Sequence, residues 1–493
     1  MSRRISRRWV LGAGAALTAL APLSRASFAN RSLLPQAGAM SKTVTPHDVA
    51  LVSQPRQVPL LGPNKPASTL WTFNDDYPTI IRIPRGTPLR ARLTNRLKEH
   101  TSIHWHGLRI DNAMDGVPYM TQAPVEEGES FTYEFLPPDT GTFFFHPHCN
   151  TIEQLGRGLA GVLIVEGDAP APYAADLVCA LKDWRLDTET GGFIPFLTDR
   201  GASRNGTFGT LRTANAAKTP TLTVPPDADI RLRLLNLDVS RISDIAVEGG
   251  EAAIIAIDGN AVAPFPLSTW RLGPAMRVDL AIRTPPPGKQ IQIIDYFAPA
   301  PLTLATLQCA PSASTATART DFDPVPLYAP AIPKPDLANA IPLRFVFAAA
   351  TGSEPQKPLP TDIRLPDGEI ISFADVLCLS DRTYWTINQQ SWPEDGHQAP
   401  PPPLANLELG KTYQFDLINN TPHQHPIHIH GHTFLVLGSN KRPLPRHYAD
   451  TVLLAPKERI KVAFVADNPG NWMFHCHIIE HQDTGMMGFV RVA

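Results

Sequence analysis

The chain has no basic run beyond its N-terminus and a net charge of only −2, so nothing points to a nucleic-acid partner. After the first residues no apolar stretch is long enough to cross a bilayer. No histidine occurs between His148 and His397, so the middle third offers a metal no imidazole. Methionine is scarce: eight in all, with no cluster beyond Met486-Met487. Cysteine is scarcer still, at Cys149, Cys179, Cys309, Cys378 and Cys476. Proline, by contrast, occurs 51 times, about twice its average share. It is costly inside helices and tolerated in loops and at sheet edges, which favours a loop-rich all-β protein. At 493 residues the chain exceeds one ordinary core, and roughly two to four domains are expected.

The first residues read as a targeting segment. Ser6-Arg7-Arg8-Trp9-Val10-Leu11 resembles the bacterial twin-arginine export signal. An apolar run from Leu11 to Leu23 follows, and Ser27-Phe28-Ala29 has the small residues of a cleavage site. Residues 1–29 are therefore expected to be removed on export. A membrane anchor is the other reading, but the run is short and rich in Ala and Gly. The mature protein is expected to be periplasmic and monomeric, without stable membrane insertion. An oxidising compartment permits disulfides among Cys149, Cys179, Cys309 and Cys378, yet sequence does not set their pairing, and buried free thiols fit equally well.

One unit is written three times. Leu89–Asn95, Ile230–Asn236 and Tyr413–Asn419 each alternate apolar residues and end in Asn, the pattern of a half-buried strand. Nine and eleven residues past each Asn stand His104 and His106, Ile245 and Val247, and His428 and His430. A second spacing repeats as well. Gly141 precedes His146 and His148 by five and seven residues, and Gly470 precedes His475 and His477 by the same intervals. Gly288 leads instead to Ile293 and Asp295. The middle copy thus reads as a spacer with its own β core. Three β-sandwich domains are expected, at 43–167, 168–320 and 335–493, divided by Asp168-Ala-Pro-Ala-Pro172 and by the Ala/Pro/Ser/Thr-rich segment after Cys309.

Residues i and i+2 of a strand face the same way, so each His-x-His pair presents two imidazoles side by side. One such pair is as well explained by satisfied core histidines. Four pairs in repeat register are not, least of all beside Cys476, His481 and Met486. Thiolate, imidazole and a weak axial thioether are the ligands of a blue electron-transfer copper.

With His104-Trp-His-Gly107, His146-Pro-His148, His425-Pro-Ile-His428-Ile-His430-Gly431 and His475-Cys-His-Ile-Ile-Glu-His481 followed by Met486, the chain resembles the three-domain multicopper oxidases of the laccase type over nearly all of its mature length. The resemblance implies three consecutive cupredoxin-like Greek-key sandwiches and four copper ions. His425, Cys476, His481 and axial Met486 would hold the type 1 copper. His104 and His428 would hold type 2, and His106, His146, His148, His430, His475 and His477 the type 3 pair. The first domain has Thr101, Pro147, Ile152 and Arg157 where the third has His425, Cys476, His481 and Met486, and the middle domain has Ile242 at the first of these positions. One blue copper is therefore expected, with electrons arriving through an exposed imidazole edge of His425 or His481. The implied reaction is one-electron oxidation of phenols or aromatic amines coupled to four-electron reduction of dioxygen to water.

Asp115, in Met114-Asp115-Gly116, matches the family's acidic residue near the type 2 copper, where it would relay protons. It also reads as a turn Asp before Gly. Gln482 departs from bacterial members that carry Glu after the last copper histidine, and an amide supplies no titratable proton. Whether Glu480 or Asp483 substitutes is open. Phe143-Phe144-Phe145 reads as packing. His47, His100, His397, His423, His432 and His447 are expected at the surface or behind the ligands. The Ser391–Pro403 loop has no assigned place. A cuprous oxidase of copper tolerance is the alternative, disfavoured because soft thioethers suit Cu(I) and are scarce here. A copper-free envelope scaffold fits less well because every ligand position is filled, and a copper-storage protein because four distinct ligand sets have no evident use in storage. Two-domain nitrite reductases lack the four pairs.

Overall fold

The computed structural model describes residues 45–311, 322–350, 383–393 and 400–493, with the backbone of Asp362–Arg364 and Ile370–Ser372. The export segment, Cys378, His397 and most of the linker after Cys309 lie outside these residues.

The three alternating segments are the central strands of three sheets. Their inward residues, such as Leu89, Ala91 and Leu93, Ile230, Leu232 and Leu234, and Tyr413, Phe415 and Leu417, are all buried. Each strand runs parallel to the one that opens its domain: His47–Val58, Asp176–Trp184 and Ile341–Ala349. On the other side each pairs antiparallel with Ser130–Phe135, Arg277–Arg283 or Arg459–Val465. A second sheet in each domain carries the functional strands. In the first domain its order is Thr79–Pro84, Gly161–Glu166, Gly141–His146, His104–His106. In the third it is Ala405–Leu407, Met487–Val492, Gly470–Cys476, His425–Ile429, Thr451–Leu454. The middle domain has the same layout with an apolar interior of Ile245, Ile293, Leu304 and their neighbours. The molecule is all-β, with three consecutive cupredoxin-like sandwiches along the chain.

The terminal Asn of each central strand explains the shared register. Asn95 Nδ2 donates to the carbonyls of Glu99 (2.7 Å) and Val125 (2.9 Å), and its Oδ1 accepts from Leu97 N (2.9 Å). Asn236 does the same with Arg241 (2.8 Å), Leu272 (3.0 Å) and Asp238 N (3.1 Å). Asn419 does so with His423 (2.7 Å), Ala455 (2.8 Å) and Thr421 N (2.9 Å). The side chain thus sets the loop that leads into the next strand, and that strand starts at a fixed distance whatever residues it carries.

The second spacing holds in only two copies. His104 pairs with His146, and His428 with His475. In the middle domain Ile245 pairs with Asp295 rather than Ile293, so the count from Gly288 is two residues out. Gly141 and Gly470 open their strands at φ +136° and +141°, whereas Gly288, at φ +77°, belongs to the preceding turn. Asp295 is held by Arg212 (3.2 Å) and by Asp244 N (2.8 Å), inside its own domain.

Asn419→Ala should leave buried carbonyls and an N–H unpaired and lower stability by about 1–3 kcal/mol. Chemical denaturation midpoints of the two proteins measure this; equal midpoints would contradict the role given to the Asn frame.

Candidate metal centre

Strand periodicity points eight imidazoles at one another across the boundary between the first and third domains. His104 stacks on His430 and His106 on His428, each with ring centroids 3.7 Å apart. His146, His148, His475 and His477 complete the group, and all eight are buried. In most of these rings one nitrogen is tied outward. His104 Nδ1 donates to Asp115 O (2.9 Å), His146 Nδ1 to Pro147 O (2.9 Å), His428 Nδ1 to Asp450 O (2.9 Å) and His475 Nδ1 to Cys476 O (3.0 Å). His430 Nδ1 donates to Asp115 Oδ2 (2.8 Å), and His106 Nε2 to Asp450 Oδ1 (2.9 Å). The other nitrogens of His104, His106, His146 and His428, Nε2 of His148 and both of His477 have no hydrogen-bond partner.

Buried polar atoms without partners are costly, at about 1–3 kcal/mol each. Here they converge: the donors of His104, His428 and His430, of His104, His106 and His146, and of His148, His430 and His475 lie within 4.8 Å of one another in each set. Burial above all, and then repulsion from neighbouring imidazoles, holds His106, His148, His428 and His430 well below the ordinary histidine range. Neutral rings with inward lone pairs are what several metal ions require.

The second group is a triangle. Cys476 Sγ lies 3.6 Å from Nδ1 of both His425 and His481, and those nitrogens are 3.0 Å apart. Met486 is buried beside them, bonded through its backbone to Cys476 N (3.0 Å) and to His481 O (2.8 Å). Burial pushes the Cys476 thiol far above its usual range, so a cation must offset the charge of a thiolate there. The donor set and these two orphaned or penalised groups fit copper.

The expected exposed imidazole edge is absent: His425 and His481 are both fully buried. His425 Nε2 meets Thr421 Oγ at 2.8 Å, and His481 Nε2 donates to the carbonyl of Arg204 at 2.7 Å. Arg204 follows the Asp199–Ala202 helix of the middle domain. Glu480 fastens this segment through Thr198 N (3.3 Å) and Thr207 Oγ (2.6 Å). Trp385 lies against His481 and His425, 4.7 and 5.2 Å between centroids, and donates to Ala202 O at 2.6 Å. Sequence spacing could not show this cover, because no periodicity links Trp385 to the ligands and the 198–207 segment lies in another domain, more than 270 residues before His481.

Asp115 is buried. It caps the Asn112–Met114 turn and holds His104 and His430. Gln482 is buried, with Nε2 on Asp483 Oδ1 (3.2 Å) and Oε1 unpartnered. Glu480 is committed to Thr198 and Thr207, away from that amide. Phe144 packs on His106 and His146, with centroids 4.4 and 5.1 Å away, while Phe143 and Phe145 join the first-domain core. At the first domain's counterpart of the cysteine site, Thr101 bonds Gln154 (2.7 Å) and Arg157 lies over Trp71. His47 is exposed. His100 is half-buried. His423, also half-buried, packs edge-on to Trp385. His432 donates to His430 O (3.2 Å), and His447 is buried against Trp270. Cys149, Cys179 and Cys309 are buried. Trp392 packs with Val117, Met473, Met487 and Phe489, and Pro400–Pro403 lines a surface cavity of about 460 Å³ with Tyr119, Met120 and Arg491. Asp450, which reaches ligands from two domains, carried no signal in the sequence.

The lowered histidines fix a pH dependence. A group whose pKa falls on folding adds stability above its unfolded value, near 6.5 for histidine, and loses it as pH drops. Metal-free protein should therefore lose up to about 1.4 kcal/mol per pH unit for each buried ring below roughly pH 6.5. Thermal midpoints of metal-free protein between about pH 7.5 and 5 measure this; a flat profile would contradict a neutral, buried cluster.

Multicopper oxidase family models match residues 57–170, 181–301 and 378–493. A multi-copper oxidase structure from Pseudomonas thermotolerans is 38% identical, covers 92% of this chain and 100% of its own, and superposes with a TM-score of 0.80. A multicopper oxidase of Mycobacterium tuberculosis is 28% identical over 98% of this chain and 96% of its own length. A laccase of Botryotinia fuckeliana is 27% identical over 85% and 78%. With copper-type donors at both sites and the family matched in all three sandwiches, the chain belongs to the multicopper oxidases and is a copper-dependent oxidoreductase.

Proposed function

We propose that this enzyme oxidises phenols or aromatic amines one electron at a time and returns the electrons to dioxygen as water. The observation that carries the reading is the joint presence of the Cys476–His425–His481 triangle and the eight-histidine cluster, with Cys476 between His475 and His477. One residue thus links both groups. Four copper ions are assigned: type 1 to His425, Cys476, His481 and Met486, type 2 to His104 and His428, and type 3 to His106, His146, His148, His430, His475 and His477. Bound copper supplies one-electron redox chemistry at the cysteine site and dioxygen reduction at the cluster.

The protein's part is to orient, exclude and deliver. Asp115 and Asp450 set which nitrogen of His430 and His106 faces inward. Asp115 Oδ2 accepts from His430 Nδ1, and this carboxylate is our candidate for relaying protons to the cluster. Trp385 and the 198–207 segment keep bulk water from the cysteine site, so a reductant meets this cover rather than a bare ligand edge. Laccase names among the relatives support an aromatic reductant. The twin-arginine-like start supports export, and we assign the mature chain to the periplasm as a monomer without a nucleic-acid partner. No helix among the described residues is long and apolar enough to span a membrane.

Oxygen uptake across simple phenols, bilirubin and Cu(I) tests the reading. Phenol-driven uptake at the highest rate is expected, abolished in Cys476→Ser. Uptake with Cu(I) alone would reassign the enzyme to cuprous oxidation.

Gln482 is proposed to slow proton delivery, since its buried amide cannot titrate. Gln482→Glu should raise turnover severalfold and flatten its pH profile. Unchanged turnover and profile would sink that role.

A further inference from the structure

The middle sandwich supplies no ligand, yet it reaches the histidine cluster. Arg277 opens the Arg277–Arg283 strand and is fully buried. Its guanidinium grips both oxygens of Asp450 in the third sandwich, Nη1 to Oδ1 at 2.8 Å and Nη2 to Oδ2 at 2.6 Å. Its Nε donates at 3.2 Å to the carbonyl of Thr142, on the first-domain strand that carries His146. Asp258 braces the pair from behind, accepting from Arg277 N (2.9 Å) and from Thr451 N (3.2 Å). One side chain therefore touches all three sandwiches.

Asp450 stands between Arg277 and two ligands. Its Oδ1 faces His106 Nε2 at 2.9 Å, and its main-chain oxygen faces His428 Nδ1 at 2.9 Å. A guanidinium only donates and a carboxylate only accepts. The His106 proton consequently lies on Nε2, and the lone pair lies on Nδ1, the nitrogen without a partner. Gly107 makes the approach possible. At φ +85°, a Cβ there would collide with Asp450 Oδ2 and lie 2.6 Å from Arg277 Nη2. The glycine of His104-Trp-His-Gly107 makes room for the arginine–aspartate pair.

We propose that Arg277 is a positioning residue for the histidine cluster: by holding both oxygens of Asp450 it fixes the tautomer and ring orientation of His106, so the ligand-free middle domain sets the copper affinity of a site between its neighbours. The inference rests on reading the cluster as a copper site. Partners that orient a ligating imidazole are worth on the order of 10–100-fold in metal affinity.

A plain interdomain staple is the competing account, and the molecule contains its own control. Arg231 is equally buried and grips Asp168 (2.8 and 2.7 Å) and Asp279 (3.2 and 2.5 Å), partners that include no histidine. Wild-type, R277Q, R277K and R231Q full-length proteins are titrated with copper. Cluster-bound copper is read against the blue absorption of the Cys476 site. R277Q should keep the blue absorption per chain and bind cluster copper on the order of 10–100-fold more weakly. R277K should fall between, because lysine offers a point charge and no fork. R231Q should leave the ratio of cluster to blue copper unchanged. A wild-type ratio in R277Q overturns the proposal, as does an equal fall in R231Q. Should R277Q fail to fold, seen as no blue absorption, R277K decides: a selective loss of cluster copper supports the proposal, and no loss or a joint loss overturns it. A wild type that takes up no copper overturns the copper reading itself.

Discussion

Eight imidazoles held out of water at the boundary of two sandwiches are the constraint around which this protein is built. Each unpartnered nitrogen costs about 1–3 kcal/mol when buried, and the cluster's rings carry seven such atoms. Their sum is comparable with the whole stability margin of a domain, about 5–15 kcal/mol. The fold must therefore hold the rings in place by other means until metal satisfies them. It does so with strands, whose period of two sets pairs of rings side by side, and with outward hydrogen bonds to Asp115, Asp450 and main-chain carbonyls.

The same backbone frame serves three ends in the three domains. Asn95, Asn236 and Asn419 make equivalent bonds. The strand that follows carries histidines in the outer domains and Ile245 and Val247 in the middle one. The outer domains differ in turn at the cysteine position. Cys476 has Pro147 as its counterpart, and the surrounding first-domain positions hold a Thr101–Gln154 hydrogen bond and the Arg157–Trp71 stack. Metal chemistry is thus decided by side chains on a scaffold indifferent to it, which is why one fold can lose a site without losing its core.

That indifference governs what could be read in advance. The His-x-His pairs, the three sandwiches and the Cys476–His481 set were legible because each lies in a local pattern, and at His104/His106 and His428/His430 an Asn side chain also sets the register. The register at Gly288 was not, because equal spacing from a glycine assumes equal backbone conformation, and φ differs there from Gly141 and Gly470. The burial of His425 and His481 was not legible either. Their cover comes from the 198–207 segment and Trp385, and no periodicity links those residues to the ligands. Asp450 and Arg277 look like ordinary charges in strand-rich sequence. Only the meeting of three domains makes them neighbours of His106.

The word spacer fails for the middle domain on the same ground. A spacer would touch its neighbours through surfaces that could be exchanged. This domain instead places a backbone carbonyl on His481 at 2.7 Å and, through Arg277 and Asp450, a carboxylate on His106 at 2.9 Å. It lost, or never held, ligands of its own, and it bonds to a ligand, or to a ligand's carboxylate partner, in both groups. Arg231 with Asp168 and Asp279 and Arg233 with Asp176 are further ion pairs of this domain, with no ligand among their partners. Buried charge pairs add little net stability, but they restrict the ways in which sheets can meet. Geometry is what a cluster shared between two domains cannot secure from those two domains alone.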